Sequence, residues 1–329
     1  MILHSDRFEE YLYCQGRRYV EDGRLFLNHS GASAKGLFRG SVLVLKMESK
    51  ASERGRNAYI RFTIDGKHRR IRMPNGSKTL LTAVGEGEHT FEVIKLTETA
   101  NNTFALLSCE TDGRFLPYSE QKDLKIEFIG DSISTGFGVL CPNEYGEYQT
   151  KEQDETKAFP YLTACALNAE YHVIAAGGWP IYKSKYAPYA IPDYYDNTDL
   201  FRNFTPWDHG SFRPDLRVVT LGTNDFSYLA DLPEDVQAKE REEVKKRFVA
   251  FVKKLLCLGG KIILVYGFFE YPDLGVLTEE VKKEIDSPDL YTLQVQSAAS
   301  LSDVRAGHPG KKTHRKAFQK LSSFIKRIL

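Results

Sequence analysis

Lys125-Ile-Glu-Phe-Ile-Gly-Asp-Ser-Ile-Ser-Thr-Gly-Phe-Gly138 decides how this chain is read. Ile126, Phe128 and Ile129 are β-branched or aromatic, in a run of the length a buried strand takes. The run stops at Gly130-Asp131-Ser132, and Gly136 and Gly138 follow, so the backbone must turn directly after the strand. In open α/β sheets ligands and chemistry sit outside the carboxyl ends of the strands. Ser132 is therefore a candidate nucleophile held at such a turn. Alone, the tripeptide reads first as a Ser or Asp cap on the next helix. The spacing of the nearby glycines matches neither the dinucleotide-binding nor the Walker pattern, which speaks against a phosphate cradle.

Downstream, strands alternate with helices. Strands are predicted at 124–129, 172–176, 216–221, 262–266 and around 291–295, and helices at 158–169, 236–257, 278–285 and 311–328. That alternation predicts a parallel sheet covered on both faces. The segment 182–210, rich in Tyr, Pro, Asp and Asn, reads as a long loop over the sheet edge, where binding residues tend to sit. Upstream, from about Arg17 to Leu116, the pattern changes to short strands separated by turns. Asp65-Gly66 between two such runs is a hairpin signal, because the turn needs residues that tolerate positive φ. A β-sandwich is expected there. Asp112–Pro117 and Ser119–Lys122 read as a linker, giving domains at 1–118 and 119–329.

The 45 basic and 44 acidic residues leave a net charge of +1, so no field steers the protein to nucleic acid or to an anionic membrane. No apolar run reaches the ~20 residues that span a bilayer. Residues 1–10 have neither a basic leader nor an apolar core, and the five cysteines are scattered with no CxxC pair. Reduced thiols and a cytoplasmic protein are expected on that basis. No His, Asp or Cys cluster has ligand spacing, so no metal is expected.

Four separated pieces converge if the sheet is built this way. They are Gly130-Asp131-Ser132, Ala175-Ala-Gly-Gly-Trp179, Leu221-Gly-Thr-Asn-Asp225 and Gly307-His308-Pro309. In this order they resemble the four blocks of the SGNH (GDSL-type) hydrolases. Ala169–Ala175, Trp207-Asp208 and Leu221–Phe226 are further similar to carbohydrate esterase family 2. That resemblance implies a jelly-roll-like β-sandwich followed by a three-layer α/β/α SGNH domain. It also implies removal of O-acetyl groups from xylo- or manno-oligosaccharides, with no cofactor. The alternatives are another SGNH esterase of lipase or thioesterase type, or a sugar-binding protein that keeps the fold without catalysis.

A serine hydroxyl needs a base within reach to become a nucleophile, and His308 titrates in the range for that role. The resemblance assigns the oxyanion donors to the backbone N–H of Ser132, the N–H of Gly178 and the side-chain amide of Asn224. A one-residue shift would put Gly177 in the glycine slot. The family pattern places an aspartate three residues before the histidine, but this chain has Arg305 there. Either Asp303 turns toward His308, or a backbone carbonyl holds the imidazole and the pair works as a dyad. Trp179 is a candidate for stacking on a sugar or for plain packing, and Trp207 a weaker candidate. Asp225 reads as a support for its loop, and His172 and His314 as structural residues.

Overall fold

The computed structural model describes residues 1–146 and 148–329. Residues 2–116 carry a ten-stranded antiparallel sheet. Its spine is two long strands, Ser33–Ala51 and Gly76–Lys95, paired along their length with a register shift between Gly40 and Val42. The sheet wraps a core that includes Phe38, Leu43, Met47, Phe62, Phe91 and Phe104, each at most 1% exposed. Asp65 and Gly66, at φ +46° and +77°, join Tyr59–Ile64 to Lys67–Arg72, as the dipeptide predicted.

Two expectations change here. The short strands separated by turns expected in this half give way to long ones, since Gly76–Lys95 is a single strand. Within it Gly87 lies opposite Gly40, where the two long strands bend together at the bulge. Arg114–Leu116, expected in the linker, instead pairs with Leu37–Arg39.

The second half is a five-stranded parallel sheet of β1 (Leu124–Gly130), β2 (Ala169–Ala175), β3 (Leu216–Thr220), β4 (Lys261–Tyr266) and β5 (Leu290–Gln294), in the order β2-β1-β3-β4-β5. The principal helices are α1 (Phe159–Ala166), α2 (Thr223–Leu229), α3 (Glu234–Cys257), α4 (Pro272–Ile285) and α5 (Lys311–Ile328). Strand alternation sends Phe128 to one face, with Phe159 of α1 and Leu321 and Ile325 of α5. It sends Ile129 to the other, with Phe248 and Val252 of α3 and Leu277 of α4. This is the expected three-layer α/β/α arrangement.

The strand order reverses at β1, which has β2 on one side and β3 on the other. Loops leaving β1 and β3 diverge there and open a crevice. Pairing sets Gly130 level with Ala175 and with Thr220, so Ser132, Gly178 and Asn224 all emerge at one edge. The 182–210 segment does more than cover that edge. Ile191, Tyr195 and Leu200 are buried in the sheet's core, and only one short helix, Ile191–Tyr194, interrupts the loop.

A buried ion cluster ties the N-terminal region to the parallel sheet. Glu127 of β1 accepts from Arg17 (3.0 Å), from Arg217 of β3 (3.2 Å) and from the Tyr195 hydroxyl. Burial pushes the Glu127 carboxyl up, but the two guanidinium groups outweigh it and hold the group below its ordinary range. Glu127→Gln leaves two buried guanidinium groups without a counter-charge. It is expected to cost about 3–5 kcal/mol in urea denaturation, as removal of one partner from a buried pair does. A loss below about 1 kcal/mol contradicts this role for Glu127.

Candidate active site

Ser132 stands two residues past the end of β1, in a turn whose geometry is imposed by its neighbours. A side chain at Gly130 would run into Ser134, so only glycine fits where the strand ends. Asp131 is 1% exposed, and its Oδ1 accepts from the Ile133 N–H at 2.9 Å. Phe137 N–H donates to Ser132 O at 3.1 Å and closes the loop. These contacts leave the Ser132 hydroxyl 2.9 Å from His308 Nε2.

His308 comes from a two-residue hairpin, with Arg305 opposite His308. Ala306 and Gly307 at its tip have φ of +46° and +70°, the double positive φ of a tight hairpin turn. The tip is held by Ala306 N–H to Asn143 O (3.0 Å) and Gly307 N–H to Glu144 O (3.1 Å). His308 Nδ1 lies 3.1 Å from Ala306 O. A carbonyl only accepts, so Nδ1 carries the proton and Nε2 presents its lone pair to Ser132. Phe137 and Phe269 flank the ring, with centroids 4.3 and 5.9 Å away. Burial lowers the His308 pKa below its ordinary 6.5, partly opposed by Ala306 O, so the ring is a neutral base at pH 7.

Asp303 is not the third member. Its Oδ2 accepts from Thr313 N–H (2.7 Å) and Thr313 Oγ1 (3.0 Å), so it caps the first turn of α5. The hairpin faces Asp303 toward that helix, and a backbone carbonyl takes the place at Nδ1. Of the two arrangements left open by the sequence, the geometry is that of the dyad.

The glycine slot is also decided. Gly177 N–H donates to Glu98 Oε2 at 2.7 Å, and Trp179 N–H to Ala176 O at 3.2 Å. Among the described residues neither Gly178 N–H nor Ser132 N–H has an acceptor, so both remain for a ligand. Gly178 has φ +79°, and a Cβ there would meet Tyr186 Cβ at 2.9 Å. Asn224 sits in the first turn of α2, after Gly222 at φ +106°. Its amide donates to Asp131 Oδ2 (3.2 Å) and Trp179 O (3.1 Å), so an oxyanion would share one of these N–H groups. Asp225 supports the loop, accepting from the N–H groups of Ile181, Tyr182 and Lys183 at 2.8–3.2 Å. Burial pushes both Asp131 and Asp225 up to about 7.

Both tryptophans are corrected. Trp179 is 2% exposed and packs against Tyr189, Tyr194 and Phe201, because its backbone turns back under the loop. Trp207 lies over Arg17 and His172. His172 is level with Glu127, three residues or about 10 Å below the edge where Ser132 sits. The exposed aromatic beside the glycine slot is instead Tyr186, whose hydroxyl meets Ser227 at 3.1 Å. Its signal was present in the Tyr-rich loop, with nothing to single it out. His314 is fully buried and accepts from Phe159 N–H at 3.2 Å, a structural position.

The fold and this Ser–His–Asn arrangement resemble those of the SGNH hydrolases. The chain is similar to carbohydrate esterase family 2, whose N-terminal domain model (carbohydrate esterase 2 N-terminal) matches residues 14–118. An acetylxylan esterase / glucomannan deacetylase of Cellvibrio japonicus is 28% identical over 229 residues, which cover 67% of this chain and 62% of that relative's length. A solved family two carbohydrate esterase from the same organism superimposes with TM-score 0.86 at 24% identity, covering 100% of this chain and 97% of the other. An acetyl xylan esterase from Butyrivibrio proteoclasticus gives 0.88 at 18%, covering 99% and 98%.

Asp303→Ala is expected to lower stability by about 1–2 kcal/mol, as loss of a helix cap does. Its kcat should stay within about tenfold of wild type, whereas loss of a true triad aspartate costs about 10⁴. A fall of that larger size in a folded variant would restore the triad. A second test is the pH profile. Because His308 must be unprotonated to act, kcat/KM should fall as pH drops through a value below 6.5, and an acid limb centred above 7 contradicts the burial argument.

Proposed function

We propose that this chain is a carbohydrate O-acetylesterase working through a Ser132–His308 dyad. The observation that carries the proposal is the 2.9 Å contact between Ser132 Oγ and His308 Nε2, with unclaimed N–H groups on Ser132 and Gly178 at the same sheet edge. Ser132 Oγ attacks the acetyl carbonyl carbon while its proton passes to His308 Nε2. The carbonyl oxygen becomes an oxyanion and takes hydrogen bonds from Ser132 N–H, Gly178 N–H and the Asn224 amide. The imidazolium is stabilised by Ala306 O. Collapse expels the sugar oxygen, which takes the proton from His308, and leaves an acetyl group on Ser132. Water, deprotonated by His308, attacks that ester, and acetate leaves as Ser132 recovers its proton.

An acetylated oligosaccharide suits the surroundings. Tyr186 is 62% exposed beside Gly178 and offers a flat apolar face for a sugar ring. A groove of about 580 Å³ that includes Phe269, the ring 5.9 Å from His308, is also lined by Tyr266, Tyr271, Gln294, Gln296, Glu270 and Lys320. Aromatic faces interspersed with amides are the chemistry that sugars pair with, in contrast to the apolar channel of a long acyl chain. The names of the similar proteins, acetylxylan esterase and glucomannan deacetylase, support the same substrate class. A cytoplasmic location is part of the proposal, with imported oligosaccharides as substrate. It rests on five unpaired cysteines, a state kept in reducing compartments.

Wild-type protein is expected to release acetate from acetylated xylo- or manno-oligosaccharides, measured by product analysis. Ser132→Ala should abolish the release, and Asn224→Ala should lower kcat about 10²–10³-fold, as loss of one oxyanion donor does. No acetate from these sugars, or retained turnover in Ser132→Ala, contradicts the proposal. Cell fractionation should recover the protein with cytosolic markers, and recovery from the periplasm or medium contradicts the placement.

A further inference from the structure

We propose that Glu98, a residue of the N-terminal half, is a positioning residue for the oxyanion hole. The N-terminal half thereby completes the catalytic site. The inference rests on the esterase reading given above.

Glu98 follows the long strand Gly76–Lys95 and reaches across to the loop after β2. Its Oε2 accepts Gly177 N–H at 2.7 Å. A Cβ on Gly177 would meet its two carboxylate oxygens at 3.1 and 3.2 Å, so the carboxylate lies against the glycine itself. Glu98 Oε1 accepts from Asn101 Nδ2 at 2.9 Å. The contacts continue toward the nucleophile turn. Asn101 Nδ2 donates to the Tyr148 hydroxyl (3.3 Å), which donates to Gln153 Oε1 (2.6 Å). Gln153 Nε2 donates to Thr135 O (3.0 Å), three residues past Ser132, and Glu98 N–H returns to Gln153 Oε1 (3.3 Å). One network therefore fixes both the Gly177–Gly178 turn and the Ser132 turn.

The placement is costly, which argues that it is specified. Glu98 is 3% exposed, and among the described residues no Lys or Arg forms an ion pair with it. An acidic group buried without such a partner is disfavoured unless hydrogen bonds compensate, and its pKa rises through burial. Consecutive glycines make the Gly177–Gly178 backbone freer than any other pair of residues would. Of the three N–H groups after Ala176, Glu98 holds the first and Ala176 O the third. The second, on Gly178, is thereby directed into the cleft. Without Glu98 the Ala176–Gly177 peptide keeps only the bond from Trp179 N–H to Ala176 O, and an oxyanion donor that must reorganise during the reaction loses most of its value.

The test uses 4-nitrophenyl acetate, an activated acetate ester without a sugar, so that it is independent of sugar preference. Glu98→Ala is expected to lower kcat about 10–100-fold, on the scale of a misplaced oxyanion donor, with KM changed less than about threefold. Glu98→Gln, which keeps an acceptor for Gly177 N–H, should recover kcat to within about threefold of wild type. Phosphonylation of Ser132 by a 4-nitrophenyl alkylphosphonate, which forms a tetrahedral anionic centre, should slow in parallel with kcat. If Glu98→Ala does not fold, Glu98→Asp, one methylene too short, should show the same kcat defect. Unchanged kcat in a folded Ala or Asp variant overturns the proposal. So does equal loss in Ala and Gln, or loss confined to KM. Wild-type hydrolysis of the nitrophenyl ester without release of acetate from sugars would remove the substrate assignment and leave the Glu98 comparison standing.

Discussion

The 3.1 Å contact between His308 Nδ1 and Ala306 O is the interaction on which the rest of the site depends. It fixes which nitrogen carries the proton, and so whether Nε2 can accept from Ser132. A carboxylate would do the same and add a charge to stabilise the imidazolium. Here a carbonyl dipole serves, and a strained hairpin tip supplies it. Ala306 at φ +46° is an unfavourable conformation for a residue with a Cβ, and two hydrogen bonds from the tip to residues 143 and 144 offset it. Asp303, freed from the imidazole, caps the helix that follows the hairpin.

Everything else serves to bring a second and third group to the same edge. Parallel pairing in a common register ends β1, β2 and β3 level with one another, and the reversal of strand order leaves space between their loops. Two of the contacts that join the halves of the chain lie at different heights along that sheet. Near its middle, Glu127 gathers Arg17 and Arg217 in a buried cluster of one carboxylate and two guanidinium groups. At its carboxyl edge, Glu98 enters with no ion pair among the described residues and takes an N–H of the glycine turn. The first contact is a matter of stability, whereas the second touches the geometry of the chemistry.

Much of this was legible in the sequence. Period and composition gave the strand–helix alternation, and the resemblance of the blocks around Ser132, Gly178, Asn224 and His308 to those of the SGNH hydrolases gave the candidate site. Asp65-Gly66 was readable because its turn needs a specific backbone conformation. What failed was whatever depends on partners distant in sequence. The length of Gly76–Lys95 was not readable, because the pairing of Gly87 with Gly40 exists only once the strands come together. Trp179 looked like a sugar platform because exposure of an aromatic is decided by the loop that folds over it. Glu98 gave no signal, since it is an acid in an ordinary loop until Gly177 arrives against it. Asp303 was ambiguous for the same reason: five residues before a histidine fixes no direction.

The most direct measurement of the central claim is to quench turnover of an isotopically labelled acetyl ester in acid and map the acetylated peptides by mass spectrometry. The account predicts one labelled acetyl group, on the peptide that contains Ser132, appearing within the first turnover and disappearing as substrate is exhausted. Label on another residue, or turnover with no acetyl-enzyme on Ser132 when its breakdown is slowed at low pH, would contradict it.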